Sequence, residues 1–339
     1  MNMVRTVLTA ALALVLCVPP TLAAPKAKAS KKPKPSFNIG ARKKVKSATD
    51  QTEASIRANI DNQKMILELE DRNDRNFPAM LVALADFYWD LSEIYERKSG
   101  SLELDQAIFN AEEAKDTNKL AELRGVQQSH LAKQSEFQEK TVATYRDVIK
   151  EFPGAPKIDE IRYFLGYHLY LMGRADQGVE AYRQVILQHP TSSLVPDALV
   201  NIGEFYFSQN DYDNALKLYQ KAESYKDSPV HAIAIYKQAW AYFNLGVYDI
   251  SLSKFLQVIK VAKEQQRKGM DSAFGLEKDA ANDMVLPYSK KGKAKAAIAF
   301  FKTYAPDRYL EVCGRLAGLY TEENEFDKST LLLRMLVKE

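Results

Sequence analysis

The feature that most constrains the fold is a pair of amphipathic helical patterns that recurs at nearly constant spacing. Residues 197–226 contain two such patterns, joined by a polar turn at Asn210. Within each pattern, apolar side chains recur at three- and four-residue steps, which places them on one helical face. A small residue in the first pattern recurs at Gly166, Gly203 and Ala239, in steps of 37 and 36 residues. Because one hairpin cannot bury both of its faces, the recurrence predicts a stack of hairpins.

These recurring small, aromatic and turn positions resemble the tetratricopeptide repeat, whose consensus unit is about 34 residues long. In two of the best copies, a small residue in the first helical pattern is followed by an aromatic residue in the second: Tyr219 follows Gly203, and Phe255 follows Ala239. The resemblance implies an all-α fold over 158–339, a right-handed α-solenoid of helix hairpins whose concave face binds a peptide or protein segment. The expected units lie near 159–190, 196–229, 232–260, 278–306 and 310–339.

The first residues have the composition of an export signal. Arg5 precedes an apolar run over 7–18, and two alanines stand at Ala23 and Ala24. A charged start, a short apolar core and small residues for cleavage are typical of a secretory signal peptide. We expect residues 1–23 to be removed by cleavage after Ala23, which predicts a periplasmic protein. An uncleaved membrane anchor is the alternative.

The segment that follows, residues 24–50, is strongly basic. It contains nine Lys or Arg, one acidic residue, three Pro and few apolar groups, so it is predicted to be a disordered linker. When this segment and Arg5 are left out, the rest of the chain has 37 basic and 43 acidic residues and is therefore acidic. The linker is a candidate contact with an anionic envelope surface, since each Lys near such a surface contributes about 1 kcal/mol. A solubilising spacer is the alternative, and nucleic acid is not an expected partner of an exported protein.

Residues 51–157 are expected to form an N-terminal helical region with a degenerate, extended repeat-like pair. Pro78 opens one helical pattern, and Tyr145 and Val148 lie in its partner. The intervening residues 101–140 lack Pro and are rich in Ala, Glu, Lys and Gln, which favour helices. The region therefore predicts N-terminal helices longer than those of the repeat consensus.

The end of the sequence is unusually apolar for a terminal repeat. Leu331, Leu332, Leu333 and Leu336 lie close to the final residue, Glu339. A solenoid normally closes with a capping helix that has a polar outer face. Either the last helix packs in an unusual way or the sequence is a truncated fragment of a longer array, and we favour truncation.

The sequence contains no recognisable catalytic motif. His130, His168, His189 and His231 lack metal-ligand spacing, and neither a phosphate-binding loop nor a nucleophile elbow is present. After signal removal Cys313 is the remaining cysteine, which excludes an intrachain disulfide and a cysteine zinc site. We therefore expect no enzymatic activity, no cofactor and no metal site. Cys313 is expected to be a buried small hydrophobic residue.

The candidate partner-binding residues come from the resemblance, because the first helix of each tetratricopeptide hairpin lines the concave groove. The matching positions are rich in aromatic side chains, which supply large contact area at binding surfaces. The predicted partner-binding residues are Tyr163, Tyr167, Tyr170, Glu204, Phe207, Tyr236, Trp240, Phe243 and Asn244. Packing between adjacent helices is the alternative role for each aromatic residue. The acidic positions Glu160, Asp197 and Glu204 would favour a partner with basic flanks.

Taken together, these features predict a non-enzymatic, exported scaffold that binds a peptide or protein segment in a cell-envelope assembly. The overall pattern is similar to envelope repeat proteins of Tol-type, outer-membrane assembly or gliding-motility machines. The alternative is a peptidoglycan-binding or carbohydrate-binding envelope protein that stacks sugars on residues such as Tyr163, Tyr167, Tyr236 and Trp240. Failure to sediment with cell-wall sacculi would exclude that alternative.

Overall fold

The computed structural model describes residues 52–269 and 275–339. The predicted signal peptide (1–23) and basic linker (24–50) lie outside these residues. Within the described ranges the regular secondary structure is entirely helical, and consecutive helices pack as neighbouring pairs. This confirms the predicted all-α, tetratricopeptide-like solenoid fold. No helix in the described ranges has both the length and the apolar character needed to cross a membrane.

The described residues form two compact units, 52–189 and 190–339. The first unit contains α1 (Glu53–Leu69), α2 (Phe77–Ser99), α3 (Leu102–Glu113), α4 (Thr117–Glu151), α5 (Ile158–Leu171) and α6 (Ala175–Gln188). The second unit contains α7 (Val195–Ser208), α8 (Tyr212–Glu223), α9 (His231–Asn244), α10 (Tyr248–Arg267), α11 (Leu276–Asp283), α12 (Val285–Lys291), α13 (Ala297–Tyr304), α14 (Tyr309–Glu322) and α15 (Phe326–Leu336).

The lengthened N-terminal pair predicted from the sequence is α2 and α4. The latter is 35 residues long, and it packs along α2 and against the short α3. Two hydrogen bonds join the long helices. Thr141 Oγ1 donates to the Ala85 carbonyl (3.1 Å), and Tyr145 Oη donates to Asp86 Oδ1 (2.7 Å). The 101–140 insertion thus supplies α3 and the first two-thirds of α4.

The predicted boundary between residues 157 and 158 falls inside the first unit. Val148 of α4 and Ile161 of α5 belong to one apolar cluster. The ring of His168 on α5 lies 4.0 Å from Trp89 of α2 and 5.5 Å from Tyr145 of α4, measured between centroids. Because α5 packs on both long helices, the extended pair and the first regular hairpin share a core.

The turns inside the hairpins repeat one backbone geometry. Two residues beyond the end of α5, α7, α9 and α14, the chain adopts a positive φ of 77°, 61°, 75° and 61°, respectively. The residues are Gly173, Asn210, Gly246 and Asn324. At each turn the next N–H bonds the carbonyl five residues earlier, as when Asp211 donates to Tyr206 (2.9 Å). This left-handed C-terminal cap favours Gly or Asn, which explains the turn residues seen in the sequence.

The small residues of the first helices permit the close packing expected of them. A Cβ atom built on Gly203 would lie 2.4 Å from the Tyr219 ring, and one built on Gly166 would lie 2.9 Å from the Tyr182 ring. Both tyrosines are fully buried. At the equivalent position of the next hairpin, Ala239 is buried and its carbonyl accepts a hydrogen bond from Ser251 Oγ (2.8 Å).

The predicted unit at 278–306 is broken into shorter helices. It contains α11, α12, a 3₁₀ turn at Ala294–Ala296 and α13 instead of two full helices. Pro287 lies in the first turn of α12. Backbone N–H groups in the first turn have no acceptor within the helix, so the N–H that proline lacks is not needed there. The helical pattern through residues 278–291 is therefore divided at Met284, because proline cannot continue the hydrogen-bond ladder of α11.

Candidate partner-binding surface

In the first unit, the predicted groove residues lie on α5 but differ in accessibility. Tyr163 is only 1% exposed, and its ring packs 5.2 Å from Tyr182 and 5.7 Å from Phe164, between centroids. Tyr167 and Tyr170 are half-buried. Tyr163 therefore contributes to the packing of α5 on α6, while Tyr167 and Tyr170 retain surface that a partner could contact.

In the second unit, Glu204 of α7 is already engaged by neighbouring helices. Its Oε1 accepts from Tyr219 Oη of α8 (2.5 Å), and its Oε2 pairs with Lys237 Nζ of α9 (2.6 Å). Both partners of the ion pair have side chains that are only 17% exposed. The carboxylate is therefore neutralised within the hairpin stack, which removes the reason to expect it to attract basic flanks of a partner.

Phe207 and Asn244 lie near the ends of their helices and are half-buried. The Phe207 ring makes an edge contact with Tyr212, with centroids 5.1 Å apart. Asn244 Nδ2 donates to the Trp240 carbonyl (2.8 Å), which satisfies one of the carbonyls at the end of α9. Phe207 is thus the more accessible apolar group, and Asn244 serves the helix terminus.

Three predicted groove residues of α9 are core residues in this structure. Tyr236, Trp240 and Phe243 are each less than a tenth exposed. Trp240 makes edge contacts with Phe243 (5.8 Å) and with Phe255 of α10 (5.7 Å), between ring centroids. Tyr236 Oη donates to Asp283 Oδ2 of α11 (2.5 Å). They fill the space between α9, α10 and α11 in the state described, and their role in binding stays a prediction.

The position of α9 explains this burial. It packs against α7, α8, α10 and α11, so it is enclosed on most of its circumference. Its sequence, HAIAIYKQAWAYFN, is apolar on nearly every face, which is typical of a buried helix. This signal was present in the sequence but was outweighed by the assignment of groove positions from the repeat pattern.

The second unit contains a buried carboxyl group, Asp283, and two half-buried ones, Asp279 and Asp197, whose pKa values are raised. Burial raises the pKa of Asp283 to about 6, although the hydrogen bond from Tyr236 and the nearby Arg315 oppose that rise. Burial also raises the pKa of Asp279. At the start of α7, burial raises the pKa of Asp197 to about 7, opposed only by a backbone hydrogen bond. Near neutral pH Asp197 is therefore partly protonated, so the second unit presents less negative charge than its composition suggests.

We expect Asp197→Asn to change the pH dependence of stability. The folded-state pKa of Asp197, about 7, lies above the value of roughly 3.9 for an unfolded chain. The folded protein therefore binds more protons between these values, and its stability falls as pH rises through this window. Asn removes that loss, so the variant should gain about 1–3 kcal/mol relative to the parent at pH 8 and little at pH 4.

Urea unfolding of parent and variant at several pH values measures this difference in the free energy of unfolding. Asp213→Asn is the matched control, because Asp213 is exposed in the first turn of α8. If the free energy of unfolding varied with pH in the same way for the parent and Asp197→Asn, the raised pKa of Asp197 would be contradicted.

No described residues form a group of three or more His, Cys, Asp or Glu side chains suited to hold a metal ion. Cys313 is fully buried, as expected, and burial raises the pKa of its thiol to about 11. A thiol with this pKa stays protonated at neutral pH and is a poor nucleophile. Cys313 is therefore a packing residue of α14.

The sequence-based assignment missed a cavity in the first unit. It has a volume of about 350 Å³ and lies between α4, α5 and α6. On α5 it is lined by Arg162, Leu165 and Leu169, which share one helical face. An arginine within an apolar stripe was the available signal, but the spacing by itself does not show that the neighbouring helices leave space above that stripe.

Comparison with known proteins places the repeat in the centre of the chain. Residues 163–231 match the tetratricopeptide repeat family. A solved structure of the apo form of the quorum sensor NprR from B. thuringiensis aligns with 84% of this chain and 82% of that chain, at 18% identity and a TM-score of 0.38. No curated protein sequence gives a significant match. Residues 163–231, which run from within α5 through α8, are therefore similar to the tetratricopeptide repeat and lie within an all-α fold of helix hairpins.

Proposed function

We propose that this protein is a non-enzymatic scaffold that binds a peptide or protein segment in a cell-envelope assembly. The observation that carries the proposal is the tetratricopeptide match over 163–231 on helix hairpins. Repeats of this family generally mediate protein–protein interaction. On these hairpins Tyr167, Tyr170 and Phe207 are partly accessible. Aromatic side chains of this kind supply apolar contact area to a bound segment at modest entropic cost.

The proposed location is the periplasm. It rests on the sequence of residues 1–23, which has the charged start, apolar run and small residues of a cleaved export signal. The basic linker at 24–50 would then lie next to anionic envelope surfaces, to which its nine Lys or Arg side chains are attracted.

The accessible aromatic rings indicate the chemistry of the partner more clearly than the acidic side chains do. Glu204 is occupied by Lys237, and Glu160 lies 3.1 Å from Lys157 Nζ. An apolar or aromatic anchor on the partner therefore suits this surface better than a basic one. The glycan-binding alternative is less favoured, because Tyr163, Tyr236 and Trp240 are buried and offer no ring face to a sugar.

The proposal is tested by in-cell photo-crosslinking of the full chain, with the crosslinking side chain placed in turn at Tyr167 and Phe207. The control is placed at Lys217, which is exposed on α8. We expect Tyr167 and Phe207 to capture the same dominant protein and Lys217 to capture none of it. Mass spectrometry of the captured material also shows whether residues 1–23 have been removed.

Equal capture from all three positions, or capture only from Lys217, would contradict binding through the first helices of the hairpins. Tyr167→Ala should weaken capture by a crosslinking side chain placed at Tyr170 by about tenfold or more, as expected for an aromatic hot spot. Circular dichroism of that variant should show unchanged helix content. An unaltered yield would mean that the two positions do not serve one partner.

A further inference from the structure

The cavity between α4, α5 and α6 has an apolar floor and a cationic rim. Ile149, Leu165, Leu169 and Ala181 supply apolar lining. A volume of about 350 Å³ falls within the range of pockets that bind ligands, roughly 300–1,000 Å³. A cavity of this size accommodates two or three side chains of a bound segment.

Arg162 is the unusual member of the lining. Its Nε is buried and has no hydrogen-bond partner among the described residues. Burial lowers the pKa of Arg162. A buried donor without a partner costs free energy in the unbound protein. Arginine carries five N–H donors in a planar fork, so an incoming carboxylate can satisfy two of them at once.

The other charged groups of the cavity do not neutralise Arg162. Arg146 Nη2 donates to Gln177 Oε1 (2.8 Å). Glu180 lies 3.8 Å from Arg183 Nη1 and accepts a hydrogen bond from Gln184 Nε2 (2.6 Å). Lys150, on the same face of α4 as Arg146, adds a third cation to the rim. The lining therefore contains three basic residues and one acidic residue.

We propose that this cavity is a second binding site, which takes a partner segment that carries acidic side chains beside aliphatic ones. One carboxylate would pair with Arg162, and a neighbouring aliphatic side chain would lie on Leu165 and Leu169. A second acidic group would face Arg146 and Lys150, which lie one helical turn apart on α4. Cations distributed over two helices suit a segment with more than one carboxylate better than the single carboxylate of a fatty acid.

The site is separate from the groove positions of the proposed function. Tyr167 follows Arg162 by five residues on α5, which is roughly 140° around the helix. The two surfaces therefore face different directions from the same helix. Failure of crosslinking at Tyr167 would leave the cavity proposal standing, and loss of the cavity proposal would leave the groove unaffected.

The test uses the full chain and a fluorescein-labelled peptide of repeating Glu-Leu-Leu-Ala units, with binding followed by fluorescence anisotropy. We expect Arg162→Leu to weaken binding at least tenfold, and the same peptide with Gln in place of Glu to bind at least tenfold more weakly to the parent. Arg97→Leu is the control, because Arg97 is an exposed arginine on α2 of the same unit. It should leave the affinity unchanged.

A second measurement separates a binding role from a structural one. Leu at position 162 replaces a half-buried arginine, whose Nε is buried without a partner, with an apolar group, so the melting temperature of the unbound variant should stay the same or rise by about 2 °C. A fall in melting temperature together with lost binding would assign Arg162 to the fold and overturn the proposal. Equal binding of the Gln peptide, binding of decanoate without binding of the Glu peptide, or no binding of any probe would also overturn it.

Discussion

Trp240→Ala is expected to destabilise the protein by about 3–5 kcal/mol, the usual range for removal of a large buried aromatic side chain. Trp240 is 4% exposed and touches Phe243 and Phe255 in edge geometry, so alanine would leave a cavity between α9 and α10. Tyr236 lies 6.4 Å from the same ring and would lose packing as well. Guanidinium unfolding followed by circular dichroism measures the change.

Phe326→Ala is the matched control for this prediction. Phe326 is 57% exposed at the start of α15, so its truncation should change the free energy of unfolding by no more than about 0.5 kcal/mol. If Trp240→Ala instead kept its stability and lost partner capture, Trp240 would be a groove residue. That result would mean that the α9 aromatics become accessible in solution.

The second large effect is expected from one added methyl group. Gly203→Ala would place a Cβ atom 2.4 Å from the Tyr219 ring, well inside contact distance. The ring cannot move away easily, because it is fully buried and its hydroxyl donates to Glu204 (2.5 Å). Overpacking of this kind destabilises by about 1–3 kcal/mol, which exceeds the gain of up to about 1 kcal/mol from replacing glycine within a helix.

Gly314→Ala supplies the control with the opposite sign. Gly314 lies within α14 of the same unit, is exposed, and has no atom within 4 Å of its would-be Cβ. Alanine there should stabilise the protein by up to about 1 kcal/mol through helix propensity alone. Thermal unfolding of the two variants and the parent measures these opposite changes in stability. A stabilised Gly203→Ala variant would show that α7 and α8 separate at little cost.

The hairpins and their turns were predictable because their signals are local. The small residue at Gly203, the facing Tyr219 and the turn at Asn210 each report a constraint between residues close in sequence. Left-handed geometry favours Gly and Asn wherever the chain leaves the first helix. A close helix crossing likewise favours Gly or Ala. Such constraints appear in the sequence as recurring residues.

The broken unit shows where periodicity was misleading. Ala281, Met284, Val285 and Tyr288 fit the spacing of one helix, but the structure divides them between α11 and α12 at Met284. Pro287 was the available signal, since proline disrupts the hydrogen bond to the residue four positions earlier. Apolar spacing records which side chains face the core, and it does not require the backbone between them to be continuous.

By itself, the sequence determined the helix pairs, their turns and their small-residue contacts, and it led to the proposal of export. Only the tertiary structure decided which first-helix side chains stay accessible. On α5, Tyr167 and Tyr170 keep exposed surface, whereas on α9 the corresponding Trp240 and Phe243 are enclosed by four neighbouring helices. It also exposed the cavity at Arg162. Periodicity is a property of one helix, whereas burial and empty space depend on how many other helices pack around it.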